Sequence, residues 1–335
     1  MIKVIMRILV VRTDFMGDAI LINGAIESIK SLRKDVVIDV LATQYNKVAF
    51  EYNPYIENKY FINHRADDKV VSTDFKQVFD FSICYDLIIV FNRDLRTYKY
   101  IDKIKSKRVF GFRLGRKKFK ANLFCILRLF GTRYSFMEYD TSLHEVVNTY
   151  NLLNFVFKSN LSPLRISKFF IPKSIDTNLF QVATNSVCIN ISGRVESGRV
   201  LSVENLTEII NDLNKDINIV LIATKEDLDR ANQLLINCNG HNIRIFSGDI
   251  YQVARVISLC ICYVGVDGGL THLAAGLDCY VIGIYAPNKI KTWCPWTDRK
   301  YLVCSQDLDV NSITPKEVSQ EINRIFQTFE SNIDD

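Results

Sequence analysis

Two short segments of the chain combine glycine with residues that bind charge or move protons. The first is VGVDGGLTHLAAGL, with Gly265, Asp267, Gly268, Gly269, Leu270 and His272. Only 14 glycines occur in 335 residues, so this concentration is informative. A glycine turn at a strand's carboxyl end lets a ligand approach the backbone. The N–H groups and dipole of the helix that follows attract an anion. A nucleotide phosphate is the natural guest; the other reading is a tight turn that needs positive φ and binds nothing. Asp267 and His272 beside the turn favour the ligand. The second segment is RTDFMGD, from Arg12 to Asp18. Gly17 permits a sharp turn, and Asp18 falls at or near a helix start. It is either an N-cap or a general base where strand ends converge. At that place the helix dipole should hold its carboxyl ionised. No GxxxxGK[ST] occurs and no GxGxxG follows the first strand, so an ordinary P-loop NTPase and a nicotinamide dehydrogenase both lose support.

These residues need a frame. Short apolar runs alternate with helical patterns, as in a parallel sheet covered on both faces. Strands are expected at 7–11, 36–41, 87–91 and 108–112, with helices at 19–32 and 46–51. The rhythm restarts with strands at 187–191, 217–223, 243–246, 260–266 and 280–285. Helices are expected at 202–213, 225–238, 251–259 and 270–277, and Thr314-Pro315-Lys316-Glu317 opens a last one near 315–330. The expectation is α/β, two Rossmann-like doubly wound domains facing each other across a cleft. Their boundaries are 1–160 and 179–335, with a linker over 161–178 that carries Pro163 and Pro172.

Composition sets the class. Hydrophobic residues make up 48% and charged residues 24%, which excludes wholesale disorder. No apolar stretch approaches the ~20 residues that span a bilayer. The opening MIKVIMRILVV reads as a buried strand rather than a signal peptide. Nine cysteines, scattered through apolar runs without paired CxxC spacing, fit neither a disulfide framework nor a zinc site. Cys260 and Cys262 share one strand face and read as buried free thiols. The expected location is the cytoplasm, including the cytoplasmic face of the inner membrane.

Together the two glycine segments resemble glycosyltransferase family 9, the bacterial heptosyltransferases. RILVVRTDFMGDAIL is similar to that family's opening strand, basic residue and Gly-Asp turn; VGVDGGLTHLAAGLDCYVIGIYAP is similar to its Asp-x-Gly-x-x-His-Leu-Ala-Ala donor motif. Weaker echoes are Asn53-Pro54, Tyr85-Asp86-Leu87, His144-Glu145-Val146 and Arg199-x-Leu201-Ser202. The resemblance implies the GT-B fold and an inverting transfer without metal or other cofactor. It implies Asp18 as the catalytic base and Arg12 as a basic residue positioning groups near it. On the donor side it implies Gly268, Gly269 and Leu270 on the phosphates and Asp267 on the sugar. His272 would lie near the nucleotide and Arg199 beside the diphosphate, with Ser192 counted among them. Asp-x-Asp spacing, a common metal-binding signature in transferases, occurs at Asp227/Asp229 and Asp307/Asp309, and both read as solvated surface. Where many members have Thr, Lys and Trp, this chain has Gly268, Arg199 and Leu201. Asp14 and Phe15 stand where small or polar residues are usual, beside the expected acceptor. Donor and acceptor specificity are therefore open.

Net charge is only +5, but twelve Lys and Arg residues from Lys99 to Arg133 face a single acid, Asp102, with five phenylalanines interleaved. Such a patch fits a phosphorylated or lipid-linked glycan at the inner-membrane surface, and no nucleic-acid motif accompanies it. Arg113, Arg116, Lys117 and Lys120, with Arg12 and Asp14, are the acceptor candidates. The leading expectation is transfer of heptose from ADP-heptose to lipopolysaccharide or a related surface glycan. The alternatives are a silent nucleotide-sugar-binding subunit and a nucleotide-sugar epimerase or hydrolase.

Overall fold

The computed structural model describes residues 5–63, 74–113, 133–175, 185–193, 198–238 and 240–331. The chain divides into two compact units, Met1–Phe170 and Ile171–Asp335. Unit 1 holds a six-stranded sheet of β1 (Arg7–Val11), β2 (Val37–Thr43), β3 (Lys59–Ile62), β4 (Tyr85–Val90), β5 (Ser106–Phe112) and β6 (Tyr134–Met137). Every pairing is parallel, in the order β3-β2-β1-β4-β5-β6. Its helices are α1 (Met16–Leu21), α2 (Asn23–Leu32), α3 (Phe75–Val78), α4 (Leu95–Ile101) and α5 (Glu145–Phe157).

Unit 2 repeats the plan. Its strands are β7 (Ser186–Asn190), β8 (Asn218–Ile222), β9 (Ile243–Phe246), β10 (Cys262–Val266), β11 (Tyr280–Tyr285) and β12 (Lys300–Cys304), ordered β12-β11-β10-β7-β8-β9 and all parallel. Helices are α6 (Val203–Asn211), α7 (Leu228–Asn237), α8 (Ile250–Leu259), α9 (Gly269–Gly276), α10 (Pro287–Trp293) and α11 (Pro315–Ser331). Each sheet has the 3-2-1-4-5-6 order of nucleotide-binding domains. Strand progression reverses at β1/β4 and at β7/β10. The expected GT-B class, two Rossmann-like units, is the fold.

Burial explains which strands the apolar runs reveal. Ile8, Leu9, Val10 and Val11 of β1 are all fully buried, so the whole strand is apolar. The expected helix at 19–32 is two helices broken at Ile22. Beside the break, buried Asn23 donates to the carbonyls of Ala49 and Lys168 at 3.0 and 2.8 Å.

The basic patch is only partly a surface. Phe110 and Phe112 are buried in the core, and Arg133 turns inward to Ser106 and to the Ile101 and Ile104 carbonyls. Lys99, Lys103, Lys105, Lys107 and Arg108 are exposed. Arg116, Lys117 and Lys120 lie outside the described residues. No helix among the described residues is long and apolar enough to cross a membrane.

Candidate functional site

Ligands of doubly wound sheets bind beyond the strands' carboxyl ends, at the point where strand order reverses. In unit 1 that point lies between β1 and β4, and the turn after β1 carries Arg12, Thr13 and Asp14. Thr13 N donates to Asn92 Oδ1 at 2.8 Å, which fixes the turn to the end of β4. Arg12 is 2% exposed and lies among three carboxylates. Its Nε donates to Asp14 at 2.7 Å, Nη2 to Asp18 at 2.8 Å and Nη1 to Glu145 at 2.8 Å. Nη1 also reaches the Phe91 carbonyl at 3.1 Å. Glu145 comes from the first turn of α5, and its second oxygen accepts from the Tyr139 hydroxyl at 2.6 Å. Arg93 stacks over the Tyr139 ring, 3.6 Å from its centroid.

Asp18 is not the helix cap. Phe15 holds the N-cap position of α1, and Asp18 sits in its first turn, turned toward Arg12. The expectation that the helix dipole holds its carboxyl down is also corrected. Burial raises it, Arg12 opposes, and the neighbouring Glu145 raises it further. Burial likewise pushes Asp14 up to about 8 against the pull of Arg12. Glu145 pays the same burial cost but is held below the usual carboxylate range by Arg12 and the Tyr139 hydrogen bond. One guanidinium thus keeps Glu145 ionised and leaves Asp18 as a carboxylate of raised basicity. Such a group is a better proton acceptor near neutral pH than an ordinary aspartate.

In unit 2 the reversal lies between β7 and β10, and the residues after both strands were singled out in the sequence. Asp267 N continues the ladder to the Ile284 carbonyl at 3.1 Å. Gly268 then caps α9, and Thr271 Oγ1 fastens the first turn to the Val266 carbonyl at 2.6 Å. The leading N–H groups of α9, at Gly269 and Leu270, have no earlier turn to bond to. Gly268 has φ −177°, so the positive-φ reading of the turn does not hold. A Cβ there would meet only the Val266 carbonyl, at 3.7 Å. Asp267 pairs with Arg199 Nη1 at 3.5 Å. Burial raises its carboxyl, and Arg199 and Lys289 pull it back. His272 lies buried in the first turns of α9. The fully buried Tyr285 hydroxyl, at the end of β11, has no hydrogen-bond partner.

Ser192 does not stand open: its Oγ donates to Asp227 at 2.5 Å and accepts from Thr224 N at 3.1 Å. Asp227 is therefore a cap that holds the β8–α7 turn rather than solvated surface. Asp307 and Asp309 bind Ser312 and Asn311 within their own turn. Among the described residues no three His, Cys, Asp or Glu side chains converge as a metal site. Arg113 is half-exposed and paired with Glu138 at 2.9 Å.

Several supporting residues carried no sequence signal of this role. Arg230 holds the loop after β7 at both ends, through the Ile191 and Leu201 carbonyls. Gly193 lets that loop close, since a Cβ would lie 2.1 Å from the Arg199 carbonyl. Tyr139, Arg93 and Lys289 join the sites only through the fold. A cavity of about 590 Å³ opens at the opposite, amino end of the second sheet, lined by Cys260, Cys279, Arg299 and Arg324. It contains none of the candidate residues.

Residues 202–321 match the model of glycosyltransferase family 9 (heptosyltransferase). No curated protein matches the chain in sequence. Among solved structures, a family 9 glycosyl transferase from Veillonella parvula superposes with a TM-score of 0.81 at 15% identity, covering 98% of this chain and 99% of that one. The Escherichia coli heptosyltransferase WaaC with ADP gives 0.76 at 17% identity, covering 96% and 100%. The E. coli ADP-heptose lps heptosyltransferase II gives 0.73 at 15% identity, covering 97% and 100%. At these identities the superpositions establish the fold. The family match lies within the second unit, and with it the enzyme class is that of a glycosyltransferase.

Proposed function

We propose that the chain transfers heptose from ADP-heptose to a hydroxyl of lipopolysaccharide or a related surface glycan, with inversion and without a metal. The second unit takes the donor and the first activates the acceptor. A leaving nucleoside diphosphate gains negative charge, which the start of α9, Arg199 and Lys289 are equipped to stabilise. Asp267 is held beside Arg199, where it can accept hydrogen bonds from the sugar hydroxyls. Asp18 removes the acceptor's proton as the oxygen attacks the anomeric carbon from the face opposite the diphosphate. Inversion follows from that single displacement.

The observation that carries this reading is the grip of Arg12 on Asp18 at the strand-order reversal of unit 1. That grip fixes one carboxylate oxygen and leaves the other for a substrate proton. The choice of ADP-heptose rests on the two similar E. coli structures, one solved with ADP and the other that of an ADP-heptose lps heptosyltransferase. A thermal-shift panel of ADP, UDP, GDP and CMP with chelator present tests the donor. Stabilisation by ADP alone is expected. Saturation at 100 times the dissociation constant contributes about 2.7 kcal/mol. Stabilisation by UDP or GDP instead would replace the sugar donor and keep the chemistry; a response only with added Mg²⁺ would contradict the metal-free reading.

A further inference from the structure

We propose that Tyr285 is a positioning residue for the donor sugar: its buried hydroxyl takes hold of the Asp267 carboxylate when the donor diphosphate draws Arg199 away. The inference rests on the transferase reading above and deepens its donor site. Tyr285 is fully buried at the end of β11, and among the described residues its hydroxyl has no hydrogen-bond partner. An unpaired buried hydroxyl is costly, so a state that pairs it is favoured. Asp267 stands beside it. Val266 pairs with Ile284 in the parallel ladder of β10 and β11, and Asp267 N donates to the Ile284 carbonyl at 3.1 Å. Asp267 and Tyr285 are thus the next pair in register, with their side chains on one face of the sheet. The carboxylate is thinly held. Arg199 Nη1 lies 3.5 Å from it, beyond ordinary hydrogen-bond distance, and no group among the described residues hydrogen-bonds it.

A donor without an acceptor and a carboxylate without a donor are complementary. Burial, and after it the Asp267 charge, keeps the Tyr285 phenol protonated and therefore a donor. The ring has room because Gly283 lies on the same face, where a Cβ would meet Tyr285 Cε2 at 2.8 Å. Gly265 is the register partner of Gly283, and a Cβ there would overlap the Tyr263 ring. The paired glycines make a hollow in which both tyrosines lie. A bound diphosphate carries more than one negative charge and outcompetes a single carboxylate for Arg199 and Lys289, the cations that offset Asp267 in the free protein. Burial beside that anion then favours the neutral acid. A hydrogen bond from Tyr285 favours the ionised form instead. It also fixes the plane of the carboxylate and leaves the other oxygen for the sugar hydroxyls.

The test is isothermal titration of the full chain with ADP and with ADP-heptose, for wild type, Tyr285→Phe, Tyr263→Phe, Asp267→Asn and Asp267→Asn/Tyr285→Phe. Tyr285→Phe should bind ADP-heptose roughly tenfold more weakly than wild type, the loss of one hydrogen bond to a charged group, and ADP within about twofold. Tyr263, whose hydroxyl is also buried and unpaired but whose register partner is Val281, is the control: Tyr263→Phe should match wild type for both ligands. In the Asp267→Asn background, Tyr285→Phe should have no further effect, since the two residues act as a unit. The thermal midpoint of Tyr285→Phe should not fall, because the hydroxyl it removes has no partner in the free protein. Unchanged ADP-heptose binding in Tyr285→Phe, an equal loss for ADP, a full further loss in the Asp267→Asn background or a lowered midpoint overturns the positioning role; wild-type binding of both ligands then leaves the transferase reading standing. Wild type that binds neither ligand overturns the ADP-heptose reading and this inference with it.

Discussion

Replacing Glu145 by Gln tests the electrostatics of the base directly. Glu145 and Asp18 each bond a terminal nitrogen of Arg12 at 2.8 Å, which places their carboxylates roughly 6 Å apart. At an effective dielectric of about 20, two unit charges at that separation repel by about 3 kcal/mol, or about two pH units. Asp18 is 17% exposed, and solvent screening reduces the expected effect to about one unit. Glutamine keeps an oxygen for Arg12 and removes the charge that raises Asp18. The Asp18 pKa should therefore fall, and the acid limb of kcat/KM should move to lower pH by about one unit. Carboxyl ¹³C NMR of labelled aspartate, assigned with Asp18→Asn, reads the same shift without substrate. An unmoved limb, or an upward movement, would refute the coupling and the role of Asp18 as the titrating base.

Asp14 gives a stability prediction of opposite sign to that of an ordinary salt-bridged aspartate. Its carboxyl is raised to about 8, so between about pH 4 and 8 the folded state binds a proton that the unfolded state has lost. That term favours folding at low pH and is lost as pH rises through 8. Asp14→Asn should melt higher than wild type at pH 8.5, and the gap should close toward pH 5 in a calorimetric series. Gly193→Ala should displace the Arg199 loop, because the new Cβ falls 2.1 Å from the Arg199 carbonyl. Isothermal titration should then show at least tenfold weaker nucleotide binding. Asp39 is fully buried and accepts from Arg7, Tyr85 and both nitrogens of Asn58. Asp39→Ala leaves those donors unsatisfied and should cost about 3–5 kcal/mol by urea unfolding.

The strands legible in the sequence are those buried on both faces, such as RILVV and INIVLI. β3, β6 and β12 were not apparent because each lies at a sheet edge and is half-buried: KYFI alternates, and YSFM and KYLVC carry polar or partly exposed positions. Their short runs look like loop. The candidate site followed the same division. Asp18, Arg12 and the turn before α9 were found because local glycine, charge and strand ends coincide within a few residues. Glu145 joins Arg12 across 133 positions, and Lys289 reaches Asp267 from a helix beyond the next strand. No local pattern encodes such a meeting; it depends on strand order. The direction of the Asp18 shift failed because burial, which the local sequence does not show, raises it most, and Glu145, distant in sequence, adds to it.

The most direct test of the central claim compares Asp18→Asn with wild type for sugar transfer and for nucleotide binding on the same preparation. The account predicts that transfer falls by at least a thousandfold, about 4 kcal/mol of lost barrier reduction, while the ADP-induced thermal shift is retained. Transfer surviving in Asp18→Asn would contradict the assignment of Asp18 as the base.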